Sequence, residues 1–453
     1  MEVILIYLYN TEIVGRNLSF SEKANVKNMI IAALPVGKLD TNQIKNEYTE
    51  ILKAFDGSGC EIFTVAPVSD VESAGQAIRE LSQQNPDLLL IVPLQGQSAE
   101  TIEALARTSP APCLVVPVKG RYALPSSILA VGALHESKVP VEILYAPPNH
   151  PDFFQRLNVV LRTAKAYSQI MKSRIGVIGG LFPNLVSCHY DPQMLNSKLG
   201  VTLIPISFED MRTSVQATVN RNEEVRQSQM DISRLYRIDP ADENAFVSGV
   251  NFHLALKRIA QEQKIDGFAT ECWSAFPREL GLNPCLGFIE DAYTLACEGD
   301  VLLCIALLTA RYLNGTSAYA GDLFDLDMDG ILTLVHCGAP ASLAGDRKNV
   351  VVERSQLALE RGFETLTCRP RLEQGPMTLF RLYGSECNKL HLAFGELIAC
   401  EQSPNLTVKV KISGNRWDFL EQCFGNHYVM AAGDLRNELK LLSKWLDIAV
   451  IET

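Results

Sequence analysis

Three short, almost wholly apolar runs separated by helix-patterned segments constrain this chain more than any other feature. CEIFTVAPV (60–68), DLLLIVPL (87–94) and PCLVVPV (112–118) carry at most one charged residue each. VESAGQAIRELSQQ (71–84) and QSAETIEALART between them place apolar residues at helical spacing. Strands without polar alternation are buried on both faces, which calls for a parallel sheet covered by helices on either side. VKNMIIAAL (26–34) reads as a further strand of that sheet. The N-terminal MEVILIYLYNTEIVGR has no basic region before its apolar start and no small-residue cleavage site, so it reads as an early strand and not a signal peptide.

The same texture resumes after a helix expected over about 151–172. RIGVIGG (174–180), VTLIPIS (201–207) and DGFATEC (266–272) read as strands, with helices near 206–236 and 243–264. VLLCIALLTARYLNG (301–315) is a helix closing on Gly315. Beyond 330 the pattern changes. GILTLVHCG, NVVVE, FETLTCRP, GPMTLFRLYG, LHLAFGELIAC and NLTVKVKIS are short β-rich runs divided by turn residues, as in an antiparallel barrel or sandwich. A helix, LRNELKLLSKWL, and a short strand, DIAVIET, follow. The expected fold is therefore α/β: two Rossmann-like α/β domains (1–172 and 173–330) and a C-terminal β-rich, barrel-like domain (331–453).

A formal charge of -11 argues against a nucleic-acid partner, which would need a basic stripe. No segment approaches the roughly 18 apolar residues of a membrane span. The 12 cysteines form no regular framework and no C-x-x-C, which fits a reduced cytoplasmic setting better than a disulfide scaffold or a zinc knuckle.

Acidic residues gather where the α/β pattern gives way to the β-rich one. Glu271 ends the strand DGFATEC, Glu298 precedes the helix in ACEGD, and Asp322 follows it in YAGD. Open α/β sheets bind ligands beyond the carboxyl ends of their strands. His427, in GNHYVMAAGD, adds an imidazole. Two carboxylates and a histidine suit a hard divalent cation, Mn²⁺ or Mg²⁺, with positions left for substrate oxygens.

ACEGDV, YAGDL, LVHCG, GPMTLFRL and GNHYVMAAGD together resemble the L-fucose isomerase and L-arabinose isomerase family over roughly residues 260–450. Glu298 and Asp322 stand 24 positions apart (322 − 298 = 24), the separation of the metal-binding Glu and Asp in L-fucose isomerases, and Asn426-His427 matches their late Asn-His. Glu271 and Glu298 stand 27 apart (298 − 271 = 27), as two glutamates do in L-arabinose isomerases, whose metal-binding His is replaced here by Gly315.

The resemblance implies a metal-dependent aldose–ketose isomerase working through an enediol. Glu298 and Asp322 would be metal ligands and the acid/base pair, His427 the third ligand, and the cation Mn²⁺ or a similar ion such as Mg²⁺ or Co²⁺. Glu271, Trp273, Asn426 and His336 would line the substrate pocket. A homo-oligomer, a hexamer, is implied as well, with the first domain of a neighbouring subunit helping to close the site. Gln95-Gly96-Gln97 follows a buried strand and is placed to face a substrate. Glu271-Cys272-Trp273 replaces the glutamines of L-fucose isomerases, which opens the substrate to a deoxy or sulfo sugar. A non-catalytic sugar-binding or regulatory protein on the same fold is the alternative.

Other motifs carry less. Asp325-x-Asp327-x-Asp329-Gly330 mimics a calcium loop but has His336 at the twelfth place, so an Asp-rich turn is expected. Gly176, Gly179 and Gly180 lack dinucleotide-binding spacing and suggest a tight turn. Arg369 and Arg371 are expected in a solvated loop, and Cys337 as a small buried hydrophobe.

Overall fold

A computed structural model describes residues 28–453 apart from 57 and 239–242. The strand expected at the N-terminus lies outside the described residues. Contacts along the backbone divide the chain into two units. One comprises the described residues up to Gln169 together with Asn437–Asp447; the other comprises Ile170–Arg436 and Ile448–Thr453.

In the first unit β1 (Ile30–Val36), β2 (Glu61–Thr64), β3 (Leu88–Pro93), β4 (Cys113–Val115) and β5 (Val141–Ile143) form one sheet in the order β2-β1-β3-β4-β5. Every pairing is parallel. All six residues of β3 are buried, which is why its sequence shows no alternation. Separate apolar cores lie on the two faces, one around Phe55, Phe153 and Trp445 and the other around Ile78, Leu105 and Leu134. Asp70 opens the helix Val71–Ser82 with a capping box to Ser73.

The second unit begins with a parallel sheet of β6 (Arg174–Ile178), β7 (Thr202–Ile206), β9 (Gly267–Thr270) and β10 (Thr294–Ala296), ordered β10-β9-β6-β7. The expected helix near 206–236 is two helices, Phe208–Val219 and Asn222–Leu235, broken at Arg221, whose backbone leaves the helical region. A small sheet joins β8 (Arg237–Ile238), β13 (Val350–Arg354) and β14 (Leu366–Pro370).

The remaining strands are β11 (Tyr319–Leu326), β12 (Ile331–His336), β15 (Gly375–Tyr383), β16 (Lys389–Glu401), β17 (Leu406–Ile412), β18 (His427–Ala432) and β19 (Ala449–Glu452). Their order is β15-β18-β11-β12-β17-β16-β19, and a further β15–β16 pairing closes six of them into an antiparallel barrel. Closure removes the free edges. Asp327 turns β11 into β12, its Oδ1 accepting from the amides of Asp329 (2.9 Å) and Ile331 (2.8 Å), so the calcium-loop mimic is the expected Asp-rich turn. Among the described residues no helix is long and apolar enough to cross a membrane.

Candidate metal centre

Two architectural facts bring the site together. In the second unit's parallel sheet the strand order reverses between β6 and β9, so the loops after β6, β9 and β10 share one edge, the carboxyl edge where α/β folds bind ligands. Glu298 stands two residues after the end of β10. In the barrel, antiparallel register sets Asp322 of β11 opposite His427 of β18. Residues paired this way point to the same face.

The three side chains meet at one imidazole nitrogen. His427 Nε2 lies 3.4 Å from Asp322 Oδ1 and 3.9 Å from Glu298 Oε2. Ligands of an octahedral cation at about 2.1 Å lie about 3 Å apart when adjacent and about 4.2 Å when opposite. Both separations from the imidazole fall in that range, although the three donors are not among the groups of described residues whose ligand atoms all lie within 4.8 Å of one another.

The other side of the imidazole is fixed. His427 Nδ1 lies 2.9 Å from Asp300 Oδ2, while Asp300 Oδ1 accepts from the Leu303 amide (3.0 Å) and caps the helix Val301–Asn314. Asp300 is fully buried and uses both oxygens. Arg381 Nη1 donates to the His427 carbonyl (2.7 Å) and lies 4.0 Å from Asp300 Oδ2; its Nη2 donates to Cys188 Sγ (3.1 Å). Cys188, Asp300 and His427 also cluster closely enough for a metal. The Arg381 cation and the Asp300–His427 hydrogen bond occupy that side, which leaves Nε2 as the ring nitrogen that faces Asp322 and Glu298. A buried carboxylate behind a ligating histidine orients the ring and raises its basicity.

Electrostatics agree with this arrangement. Burial lifts the Glu298 carboxyl above its ordinary range, Asp322 adds to the rise, and the His427 charge opposes it. Burial would lift Asp300 too, but the hydrogen bond and charge of His427, with Arg381, hold it below its usual value. Burial would lower His427, yet Asp300, Cys188 and Asp322 push it up to about 10. Three carboxylates around one imidazole leave negative charge in excess, which a divalent cation would balance.

Glu298 holds a left-handed backbone, with φ 57°. Such a conformation costs a non-glycine residue about 1 kcal/mol or more and persists where neighbours enforce it. Here the Glu298 carbonyl accepts from the Phe182 amide (2.9 Å), and the Gly299 amide donates to Thr270 (2.9 Å). Gly299 admits no side chain: a Cβ there would lie 1.8 Å from the Gly180 carbonyl oxygen. The Gly179-Gly180 turn after β6 thus serves close backbone packing.

The other expected pocket residues scatter in role. Asn426 Nδ2 donates to Asp322 Oδ1 (2.5 Å) and so fixes that carboxylate. Glu271 is buried, and its carboxylate accepts from the Ser274 amide (3.0 Å), the Ser274 hydroxyl (3.1 Å) and the Ala275 amide, opening the helix Ala275–Leu280. Trp273 packs on Phe182 (5.7 Å between ring centroids) beneath the Arg361 guanidinium at 4.2 Å. His336 Nδ1 lies 2.6 Å from the Gly338 carbonyl; burial would lower this imidazole, but Cys337, Asp322 and that carbonyl push it up to about 10. Arg369 is not in a solvated loop. It is buried on β14, donating to the carbonyls of Cys337 (2.9 Å) and Gln402 (3.2 Å) and pairing with Glu353 (2.5 Å), because a guanidinium can satisfy several inward-facing acceptors at once.

No family model matches the chain. Over 337 residues it is 25% identical to sulfoquinovose isomerase from Priestia aryabhattai, covering 70% of this chain and 72% of that protein. The same identity and coverage relate it to sulfoquinovose isomerase from Priestia megaterium. A solved conserved domain protein from Vibrio cholerae covers 60% of this chain and 89% of its own at 13% identity, with a TM-score of 0.20 that carries no argument.

Proposed function

We propose that this protein is an aldose–ketose isomerase working with a divalent cation of the Mn²⁺ class held by Glu298, Asp322 and His427. It is an enzyme, an intramolecular oxidoreductase acting on a sugar, and its likeness to two sulfoquinovose isomerases supports this over a non-catalytic sugar-binding protein. The observation that carries the metal reading is the approach of both carboxylates to one imidazole nitrogen whose opposite face is pinned by buried Asp300.

A bound cation would polarise the sugar carbonyl and hold two neighbouring oxygens in place. Glu298, its carboxyl lifted by burial, is suited to take a proton from one carbon and return it to the next through an enediol. Asp322, steadied by Asn426, is the partner acid/base. Asp300 keeps the His427 ring from turning, and Arg381 holds the His427 backbone carbonyl. Replacing Asp322 by Asn should remove bound Mn²⁺ and slow deuterium uptake at C2, read by NMR, by about 100-fold or more. Unchanged metal content and exchange would end the assignment.

A sugar bearing an acidic group, such as a sulfo sugar, is the preferred substrate on this reading. The Arg361 guanidinium lies over Trp273 and, at 5.1 Å, over Phe363, and makes no ion pair or hydrogen bond among the described residues. Trp273 rests on Phe182, whose amide holds the Glu298 carbonyl. The variant Arg361→Met should lose kcat/KM for a sulfo aldose at least tenfold more than for its neutral counterpart, a difference of about 1.4 kcal/mol. Equal losses on the two sugars would point to packing and not to anion recognition.

A further inference from the structure

Four thiols and an imidazole converge in the second unit from four separate stretches of chain. Cys272 follows β9, Cys285 lies in the short turn of helix Pro284–Ile289, Cys297 follows β10, and His336-Cys337 ends β12. The Sγ atoms of Cys285 and Cys337 are 3.7 Å apart. Cys337 Sγ is 3.9 Å from His336 Nδ1, and one donor atom from each of Cys297, His336 and Cys337 lies within 4.8 Å of the other two. Cys285 and Cys297 are buried, and all twelve cysteines are free thiols.

We propose that Cys285, Cys297, Cys337 and His336 form a second metal site, for a thiophilic cation of the zinc class. A tetrahedral zinc ion with sulfur at about 2.3 Å spaces two sulfurs about 3.75 Å apart. The Cys285–Cys337 separation already matches that edge, and Cys297 and His336 each offer a donor within 4.8 Å of Cys337. Three cysteines and one histidine are a common structural zinc set. Softness sorts the two centres: thiolates favour zinc, and the Glu298, Asp322 and His427 donors favour a harder ion. Binding releases the three thiol protons to solvent and requires no oxidant. The ion would tie the turn carrying Cys297, the residue before Glu298, to the end of β12. This site stands whether or not the protein is an isomerase.

The test is a Co²⁺ titration of the reduced full-length chain, with and without excess Mn²⁺, read by thiolate-to-cobalt charge-transfer absorption. One equivalent of cobalt should saturate the band in both conditions. The variants Cys285→Ser and Cys337→Ser should lose it, and Cys188→Ser, which alters the thiol beside His427, should keep it. X-ray absorption of the zinc-loaded wild-type chain gives a readout that needs no variant: a sulfur shell at about 2.3 Å is expected. Absence of the band, its survival in both serine variants, or a shell of nitrogen and oxygen alone overturns the site.

Discussion

Asp300 concentrates three tasks in one buried side chain: it caps a helix, orients a histidine and sits beside an arginine. Replacing it by Asn keeps a capping residue, so the helix Val301–Asn314 should survive. The ring of His427 then loses its carboxylate, and Mn²⁺ affinity measured by calorimetry should fall about 10- to 100-fold. An unchanged affinity would show that the imidazole is held by packing alone. The carboxylates and His427 were legible because motif spacing and strand ends pointed to them. The role of Asp300 was not, although it stands inside ACEGDV. Sequence shows the capping half of its work; the imidazole arrives 127 positions later, through the β11–β18 pairing.

At the scale of elements, legibility followed contrast between faces. The buried strands of the parallel sheets and the helix Val71–Ser82 could be read directly from the chain. The helix Ala123–Glu136 could not, because Ile128 and Leu129 are exposed and its outer face is as apolar as its inner one. Strand β11 was masked by its two aspartates, Asp322 and Asp325, and by Asp327 in the turn that follows it. The barrel also carries a pH liability. His391 on β16 is fully buried between the Tyr428 hydroxyl (2.6 Å) and the Thr453 hydroxyl (2.9 Å), and burial lowers its pKa from 6.5 to about 4. As pH falls from 6.5 toward 4 the unfolded chain binds a proton that the folded barrel refuses, so stability drops. At about 1.4 kcal/mol for each pH unit the loss reaches about 3 kcal/mol. Urea midpoints across that window should slope downward with acid, and His391→Gln should flatten the slope. A wild-type slope that the variant leaves intact would assign the effect to other groups.

On the whole-molecule scale, the outer face of Ala123–Glu136 presents Pro125, Ile128, Leu129 and Gly132 to solvent, an apolar stripe at helical spacing. Ile128 is 57% exposed and Leu129 69%, beside Tyr122 at 80%. Contiguous exposed apolar surface of this kind is a candidate contact surface. We propose that copies of this protein associate through it, and Leu129→Asp should lower the mass found by light scattering to that of a single chain; an unaltered mass would move the interface elsewhere. Connectivity sets a further condition. Residues 437–447 belong with the first unit, where Leu441 and Trp445 pack in its core, Trp445 meets Tyr167 edge-on at 6.0 Å, and Glu438 pairs with Arg162. The residues on both sides of that helix belong with the second unit. No single proteolytic cut can therefore release either unit whole. A fragment ending near 170 would leave its sheet without the indole that covers it, and in biosynthesis the first unit acquires its last helix only after most of the second has left the ribosome.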